Sequence, residues 1–404
     1  MNILYVACGI PLPGRLGGST HTFEVARGLV ARGHTVHVVA CSREGWGGPA
    51  PFARPVSSIY QVFTCTISIF QECLIARRAA IARLTRAIRP DIIIERYYNF
   101  AGGGILAARK LGVPAILEVN ALIIDPPEVF KRRLDDRLGG PMRRWAITQC
   151  RWAARIVTPL HTTVPPEIPR EKIVETPWGA DVERFATRDW RLEIGDNTTQ
   201  SLISNLQSPT IIFLGSFRAW HGVLDFVYAA KLLLAEGRDC RFLLIGDGPE
   251  RAAAERIAAE YPDRFVFTGA VDYERVPELL ANAMIGVAPF NTAPHPALRA
   301  AGFFWSPLKI YEYMAATLPV VTADIHPLNQ IIRDGQEGAL FNEGDIPGLA
   351  QAIARLLDDP DEAQRMGRHA RARVVERYSW ARHCEELERI MEQLSPLRYP
   401  HSSR

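Results

Sequence analysis

Short apolar runs alternate along the chain with longer stretches of helical periodicity. The first run is "NILYVACG" (2–9), which is followed by a Pro/Gly loop, by "STHTFEVARGLVARGH" (19–34) and by "TVHVVA" (35–40). A strand, a helix and a second strand in this order predict a βαβ unit, which requires a parallel sheet with right-handed crossovers. The same pattern predicts further strands at 91–97, 115–121 and 155–159.

The alternation resumes after a polar break, "RLEIGDNTTQSLISNLQSP" (191–209). Predicted strands lie at 210–217, 241–248, 265–269, 285–290, 319–324 and 338–341, and predicted helices at 222–236, 249–260, 274–283 and 307–317. Two such series predict an α/β protein with two Rossmann-like, doubly wound domains in tandem. We place the domains at 1–190 and 191–378, and a final helix and tail at 379–404. In such folds the cleft between the domains is the expected site.

The composition is consistent with a globular protein of two domains and favours a location in the cytoplasm. A chain of 404 residues exceeds one typical core, and 48% hydrophobic with 23% charged residues is ordinary for a globular protein. The 7 cysteines show no CxxC or paired spacing, which argues against a disulfide framework or a zinc site and favours a reducing cytoplasm. The first residues read as a strand rather than a signal peptide, and no run of 18 apolar residues occurs.

The charge is distributed unevenly between the two halves. Residues 1–190 carry 25 Lys and Arg against 16 Asp and Glu, a net +9, whereas the remainder carries 22 against 28, a net −6. This pattern favours an anionic surface on the first half, either an acidic membrane leaflet or solvated helix faces with no partner. Stacking aromatics are sparse among the arginines, so nucleic acid is disfavoured.

The loop "GRLGGSTHT" (14–22) joins the first strand to the first helix. Gly17 and Gly18 allow backbone N–H groups to approach a ligand at a helix amino-terminus, which predicts an anion site. The alternative is that the two glycines serve only the geometry of the turn.

A second loop, "LGSFRAWHGVLDFV" (214–227), follows a strand and opens a helix at Gly222. Ser216, Arg218 and His221 surround it, so a cation and two hydrogen-bond donors would converge on an anionic group. The alternative, a surface arginine and histidine near a helix start, is disfavoured by the helix dipole.

The stretch "FFWSPLKIYEYMAATLPVV" (303–321) makes the same argument more strongly. Ser306 is a good N-cap and Pro307 a good first helical residue, which places Lys309 in the first turn, where positive charge is disfavoured. Glu312 lies on the same helix face, and the alternative is a structural Lys309–Glu312 salt bridge. Because this helix is apolar, a buried ion pair would cost desolvation, and an anionic ligand explains Lys309 better.

Two further strand ends would line the same cleft. Gly246 and Gly248 in "LIGDGPE" (244–250) permit close backbone approach, and "VAPF" (287–290) follows another strand. GxGxxG and GxxxxGK[ST] strings do not occur, which disfavours a nicotinamide-linked dehydrogenase and a P-loop enzyme.

Together these stretches resemble the retaining glycosyltransferases of family 4, which have the GT-B fold. The resemblance runs from the "GG" loop and "LVARGHTVHVV" through "ETPWGADVERF" and "GSFRAWHG" to "SPLKIYEYMAATLPVV" and "ERYSW", and is densest at 210–345. It implies that the second domain binds a nucleoside diphosphate sugar and the first an acceptor. It also implies that the helix after "ERYSW" returns to the first domain.

The resemblance also assigns roles to residues of the donor site. Ser216 and His221 occupy places that are usually basic, which leaves Arg218 and Lys309 as the cations that stabilise the leaving group. Glu312 matches the second of two paired glutamates, the one that bonds the ribose hydroxyls. The first turn of its helix completes the donor site, with Ser306, Pro307 and Leu308.

Two positions depart from the family pattern. Phe304 stands where the first glutamate is expected, so the contacts of the donor sugar are open. Asn120 stands where a histidine often lies near the sugar, which removes a titratable group, but by its place it is still assigned to the catalytic residues. Glu118 and Ser19 are assigned to the acceptor side. The backbone of "TGAV", ending at Val271, and of "VAPF", including Pro289, is implied to contact the nucleobase.

The implied reaction transfers a sugar to an acceptor hydroxyl with retained anomeric configuration and without a metal or other cofactor. The D-x-D string at 359–361 reads as a turn between helices. The implied acceptor is a glycan or a lipid-linked molecule, as in cell-surface polysaccharide or glycolipid assembly, with the apolar, partly helical segment 56–76 favouring a peripheral position on the inner face of the membrane. Alternatives are a GT-B nucleotide-sugar epimerase and a donor-binding protein without transfer activity.

Overall fold

The computed structural model describes residues 1–12, 14, 17–42, 62–66, 75–186 and 208–394. The chain forms two compact units: the first comprises Met1–Trp178, Phe304–Ser306 and Trp380–Arg404, and the second comprises Gly179–Phe303 and Pro307–Ser379. The predicted boundary at 190/191, nearly all of the polar break at 191–209 and most of the segment 56–76 lie outside the described residues. The segment 56–76 was predicted to be partly helical, but its described centre, Val62–Thr66, is a strand that pairs with the strand Thr35–Ser42.

The first unit is built on a parallel sheet of 7 strands in the order β3-β2-β1-β4-β5-β6-β7. Its strands are β1 (Asn2–Pro11), β2 (Thr35–Ser42), β3 (Val62–Thr66), β4 (Ile92–Arg96), β5 (Ala115–Glu118), β6 (Arg155–Thr158) and β7 (Ile173–Glu175). The helices between them are α1 (Gly17–Ala31), α2 (Ile75–Ile88), α3 (Gly103–Leu111), α4 (Phe130–Arg137) and α5 (Pro141–Trp152). Strands β4 and β5 are buried at every position, as expected for central parallel strands that helices cover on both faces.

The second unit repeats the design with a parallel sheet of 6 strands in the order β10-β9-β8-β11-β12-β13. The strands are β8 (Thr210–Leu214), β9 (Arg241–Ile245), β10 (Phe265–Gly269), β11 (Ile285–Ala288), β12 (Val320–Ala323) and β13 (Gly338–Phe341). The helices are α6 (Val223–Ala235), α7 (Arg251–Ala258), α8 (Val276–Leu280), α9 (Pro296–Ala301), α10 (Leu308–Ala315), α11 (Leu328–Ile331), α12 (Ile346–Asp358) and α13 (Pro360–Arg377). The prediction of two Rossmann-like, doubly wound units is therefore confirmed.

The final described helix, α14 (Trp380–Leu394), packs against α1 in the first unit. His34 Nε2 lies 3.0 Å from Glu388 Oε1, and Arg32 forms an ion pair with the same carboxylate. A Cβ atom on Gly28 of α1 would lie 2.4 Å from Cys384 Sγ. Glycine at this position therefore allows the two helices to approach closely.

Several local features bear on the sequence-based predictions. Asp359 caps α13 by accepting a hydrogen bond from the backbone N–H of Glu362 at 2.9 Å. The D-x-D string lies between two helices as predicted, but it is not a turn, because Pro360 and Asp361 are already the first residues of α13. Cys8, Cys150, Cys240 and Cys384 are buried thiols outside any disulfide bond. Within the described ranges, none of the helices combines the length and the apolar character that crossing a bilayer requires.

Candidate functional site

In the second unit, the loop after β8 carries three of the predicted residues. Ser216 Oγ lies 3.2 Å from His221 Nδ1, so these two side chains form a hydrogen bond with each other. Arg218 is exposed at the start of a short 3-10 turn, Ala219–His221. The structure thus brings Ser216 and His221 together and leaves the guanidinium of Arg218 in solvent.

The loop packs against the residues that follow β11 because Gly222 has no side chain. Its φ is 72°, and a Cβ atom there would lie 1.7 Å from the carbonyl oxygen of Pro289. The predicted residue Pro289 is buried and forms part of this contact. Gly222 therefore both starts α6 and holds its amino-terminus against the end of β11.

Lys309 is the only lysine that the structure buries among the residues it describes, at 7% exposure. Its Nζ atom lies 4.2 Å from the centre of the Phe213 ring and 5.0 Å from that of Phe290. No described residue accepts a hydrogen bond from this ammonium. Burial lowers the pKa of Lys309 to about 7, and the negative charge of Glu312 opposes that shift only partly.

These contacts bear on the two explanations of Lys309, a salt bridge with Glu312 or an anion site. A structural salt bridge with Glu312 would be hydrogen-bonded, and Lys309 Nζ has no such bond within the described part of the chain. Glu312 is itself buried at 3% exposure and lies one turn along α10. A buried ammonium beside two aromatic rings that donates no hydrogen bond to a described residue favours the anion explanation, which stays a prediction.

Gly215 connects Lys309 to the loop after β8. A Cβ atom on Gly215 would lie 2.9 Å from Lys309 Nζ and 3.3 Å from His221 Nδ1. Burial, together with the positive charges of Lys309 and Arg218, lowers the pKa of His221 to about 2, so its ring is neutral. The two nitrogens therefore lie close to each other beside the backbone of Gly215, at the carboxyl end of β8. Sequence reasoning did not single out Gly215.

The helix that carries Lys309 starts differently from the prediction. Helix α10 begins at Leu308 with Pro307 as its N-cap residue, and no side chain caps it. The predicted N-cap role of Ser306 is wrong, because its hydroxyl accepts a hydrogen bond from the backbone N–H of Trp178 at 2.9 Å. Both of those residues belong to the first unit. The first N–H groups of α10 are thus left without a serine cap.

Other predicted donor-site residues have clear packing contacts. A Cβ atom on Gly246 would lie 1.9 Å from Gly215 O, and one on Gly248 would lie 2.7 Å from Phe217 O. These two glycines let the loop after β9 pack against the loop after β8. Val271 is partly exposed just after β10, and Leu308 is partly exposed at the start of α10. Phe304 is buried in the first unit, with its ring centre 4.8 Å from that of Trp305.

The first unit contains a second buried polar group around Glu118, at the end of β5. Its carboxylate accepts hydrogen bonds from Tyr5 Oη at 2.5 Å and from Arg96 Nη1 at 3.0 Å, and it also accepts one from Asn120 Nδ2. Asn120 Oδ1 accepts a further bond from Trp178 Nε1 at 2.7 Å. Both amide atoms of Asn120 are therefore already bound to protein groups, which suits a positioning role.

His21 on α1 joins this group from the other side. Arg96 Nη1 lies 2.7 Å from His21 Nδ1, so Nδ1 accepts that bond and the ring carries its proton on Nε2. Burial, together with the charge of Arg96, lowers the pKa of His21, so the ring stays neutral. Sequence reasoning missed Tyr5, His21 and Arg96, and their separation along the chain offered no local signal.

The predicted loop at the start of α1 lies next to the same arginine. A Cβ atom on Gly18 would lie 3.5 Å from Arg96 Nη2, and Gly17 is the first residue of the helix. Ser19 is buried, and its Oγ has no hydrogen-bond partner in the described ranges. The structure thus gathers Gly18, Ser19, Glu118 and Asn120 in the first unit, and Ser216, His221, Lys309 and Glu312 in the second.

The described residues contain no group of three or more His, Cys, Asp and Glu side chains placed to hold a metal ion.

Comparisons with known proteins agree with this picture. Two family models match the chain, "Glycosyltransferase Family 4" over residues 16–165 and "Glycosyl transferases group 1" over residues 208–359. An alpha-D-kanosaminyltransferase of Streptomyces kanamyceticus is 26% identical over 332 residues, which cover 78% of this chain and 81% of that protein. A 2-deoxystreptamine glucosyltransferase of the same organism is 28% identical over 330 residues, 76% of this chain and 78% of that one.

A solved structure shows the same fold at low sequence identity. Anabaena Alr3699/HepE, in complex with UDP and glucose, superposes with a TM-score of 0.70 at 16% identity over 97% of this chain and 99% of that chain. This likeness concerns the fold alone, which is GT-B.

Proposed function

Because the chain belongs to the family 4 glycosyltransferases, we propose that it transfers a hexosyl unit from a nucleoside diphosphate sugar to an acceptor hydroxyl with retention of anomeric configuration. The acceptor oxygen forms the new bond to the anomeric carbon, and the bond from that carbon to the phosphate oxygen breaks. The proton of the acceptor hydroxyl passes to the departing phosphate. Attack on the face from which the nucleoside diphosphate leaves accounts for retention without a covalent sugar–protein intermediate.

The observation that carries the proposal is the ammonium of Lys309. It is buried, it has no hydrogen bond among the described residues, and it lies beside Gly215 at the carboxyl end of β8. Strand ends of this kind are where doubly wound sheets bind phosphates. We assign Lys309 to the diphosphate of the donor and Glu312, one turn further along α10, to the ribose.

Magnitudes support an anion at this place. Lowering the pKa of Lys309 from 10.5 to about 7 corresponds to a cost on the order of 5 kcal/mol for holding the charge there. A phosphate charge ~4 Å from the ammonium returns about 4 kcal/mol at an effective dielectric constant of ~20. The donor would therefore offset most of the cost of burying Lys309, and its charge would strengthen as the leaving group departs.

The proposed electrostatic stabilisation does not need a metal ion. Lys309 supplies one positive charge, Arg218 supplies a second from the loop after β8, and the amino-terminus of α10 supplies backbone N–H groups. We propose that these groups together bind the diphosphate.

For the acceptor, the charge of the first domain favours a molecule at an anionic membrane surface, as in polysaccharide or glycolipid assembly on the inner face of the membrane. Residues 1–190 carry a net +9, which would attract acidic lipid and repel a polycation. A second candidate is an aminocyclitol, since the relatives reported above are named for kanosamine transfer and for 2-deoxystreptamine. An aminocyclitol is cationic, so the charge of the first domain disfavours it.

The first experiment is an activity screen on the purified protein. A panel of nucleoside diphosphate sugars is incubated with lipid extract, with 2-deoxystreptamine or with no acceptor, and the released nucleoside diphosphate and the products are quantified. Transfer that requires lipid extract supports the membrane-side acceptor, and transfer to 2-deoxystreptamine supports the second candidate. Epimerisation of the donor without an acceptor, or binding without turnover, would overturn the transferase proposal.

The second experiment tests Lys309 itself. Lys309→Met keeps the length of the side chain and removes its charge, so we expect the turnover of the donor to fall about 100-fold or more, given a loss of about 3–4 kcal/mol of charge stabilisation. Lys231→Met is the matched control, because Lys231 is a lysine of the same unit paired at the surface with Glu260 at 2.6 Å. Full activity in both Lys309→Met and Lys231→Met would contradict the proposal and show that the charge of Lys309 has only a structural role.

A further inference from the structure

Helix α4 (Phe130–Arg137) presents its apolar residues to solvent. Phe130 is 69% exposed, Leu134 is 45% exposed, and Leu138, which follows the helix, is 67% exposed. Residues four apart lie on one face of a helix, so the three side chains form a single stripe. A surface helix normally turns such a stripe toward the core.

The side of α4 that faces the protein is polar instead. Asp135 is 4% exposed, and its carboxylate accepts hydrogen bonds from the backbone N–H groups of Met142 at 2.8 Å and Arg143 at 3.2 Å. This carboxylate caps the first turn of α5 and fixes the orientation of α4. The exposed stripe is therefore held outward by specific contacts.

Basic residues border the stripe. At about 100° per residue, Arg133 and Arg137 lie on one side of Phe130 and Leu134, and Lys131 lies on the other side. All three are exposed. Lys131 is paired with Asp125 at 2.6 Å, so the arginines carry most of the unbalanced charge.

The second acidic residue of α4, Asp136, is kept away from the exposed apolar stripe. Asp136 lies on the opposite side of α4, where Arg132 Nε donates to it at 2.9 Å and Arg143 also pairs with it. The guanidinium of Arg143 holds the pKa of the Asp136 carboxyl below its usual value, so this acid is ionised and neutralised by its partners. The outward face thus combines an apolar centre with a positive border.

We propose that α4 is the element through which the protein docks on an anionic phospholipid surface. An apolar stripe with a basic border matches the boundary between acyl chains and acidic headgroups. A second copy of the chain is disfavoured as the partner, because two such faces would bring like charges together. The inference rests on the membrane-side acceptor proposed above and names the surface that reaches it.

Vesicle co-sedimentation of the full-length protein tests the proposal. Vesicles of phosphatidylcholine alone are compared with vesicles that also contain phosphatidylglycerol, at low and at high salt. We expect binding to the anionic vesicles, weakened by salt because the basic border acts through screened charges. No binding of the wild-type protein to anionic vesicles at low salt would overturn the proposal.

Two variants and their controls locate the surface. Phe130→Ser/Leu134→Ser/Leu138→Ser and Arg133→Glu/Arg137→Glu should each lower the apparent vesicle affinity about tenfold or more. Leu111→Ser/Leu232→Ser/Val375→Ser removes three exposed apolar residues elsewhere, which are 40%, 39% and 44% exposed, and should bind vesicles like wild type. Arg256→Glu/Arg299→Glu, at exposed positions of α7 and α9, is the matched control for charge. Equal losses in variants and controls would overturn the assignment to α4.

Further measurements separate this proposal from the transferase proposal. Each variant is checked by thermal unfolding and by protection with UDP, which the α4 substitutions should leave unchanged. A stripe variant that turns a dimer into a monomer in size-exclusion chromatography would identify a self-association surface and overturn lipid docking. Vesicle binding is measured without catalytic turnover. A wild-type protein that binds anionic vesicles but transfers no sugar would therefore contradict the proposed function and leave the docking proposal intact.

Discussion

At the scale of single residues, the proposed role of Lys309 would couple proton binding to the binding of the donor. Its pKa in the folded protein is about 7, whereas an unfolded lysine has a pKa of ~10.4. Between these values the unfolded chain holds the proton more strongly, so the contribution of Lys309 to the free energy of unfolding rises with pH. In the same window the charge that would meet the diphosphate is lost.

The lowered pKa of Lys309 leads to a prediction about proton uptake, which calorimetry can measure. At pH 8 Lys309 is mostly neutral in the free protein, so binding of a nucleoside diphosphate should take up close to one proton. Titrations in two buffers of different ionisation enthalpy, HEPES and Tris at pH 8 and MES and Bis-Tris at pH 6, report that uptake directly. At pH 6 the uptake should vanish, and Lys309→Met should show none at either pH. Equal uptake in the variant would assign the proton to another group.

A second prediction concerns Glu118. Glu118→Ala leaves the buried guanidinium of Arg96 without its carboxylate, so we expect a loss of about 3–5 kcal/mol in the free energy of unfolding. The control is Glu175→Ala, which removes the carboxylate of a half-exposed pair with His161 and should cost less than about 1 kcal/mol. Urea denaturation of both variants, followed by tryptophan fluorescence, measures the difference. Similar costs would mean that the Glu118 group adds little to stability.

The two buried groups also show which residues a sequence can reveal. Lys309 stood out because a charge in the first turn of an apolar helix contradicts the local pattern. Arg96 and His21 follow their local patterns, and only the folded sheet brings them to Glu118. Long-range hydrogen bonds between ordinary residues leave no trace in a local pattern.

At the scale of elements, Gly222 holds the loop after β8 in place. Gly222→Ala would combine a positive φ of 72° with a Cβ atom 1.7 Å from Pro289 O. Gly237→Ala is a matched control, because its φ is 79° and nothing lies within 4 Å of its Cβ position. We expect the control to lose about 1 kcal/mol from strain alone and Gly222→Ala to lose clearly more, with weaker donor binding. Thermal unfolding and UDP titration check both, and equal costs would show that the loop relaxes freely.

The elements themselves were largely predictable from the sequence. Buried parallel strands such as β4 and β9 appear as continuous apolar runs, and the loops after them carry Gly or Pro. Strand β7, with 3 residues at the edge of the sheet, is too short to produce a pattern and was not predicted. The start of α10 was misplaced because the hydroxyl of Ser306 bonds the backbone of Trp178, a contact between segments far apart in the chain.

At the scale of the whole molecule, identities of 26% and 28% to the two relatives are enough to indicate the fold and the class of reaction. They do not identify the acceptor. Phe304 and Asn120, which depart from the family pattern, lie in the first unit, and both are held by protein contacts. The donor-site and acceptor-site residues inferred from the sequence therefore stay predictions.

The packing of α14 on α1 has a consequence for synthesis. A ribosome produces α1 and its sheet first, then the entire second unit, and only afterwards the helix whose Glu388 pairs with Arg32 and His34. The first unit therefore combines residues from both ends of the sequence, and its packing is incomplete until Trp380–Leu394 has been made. A chain that stopped before Trp380 would lack the helix that covers the Gly28 face of α1.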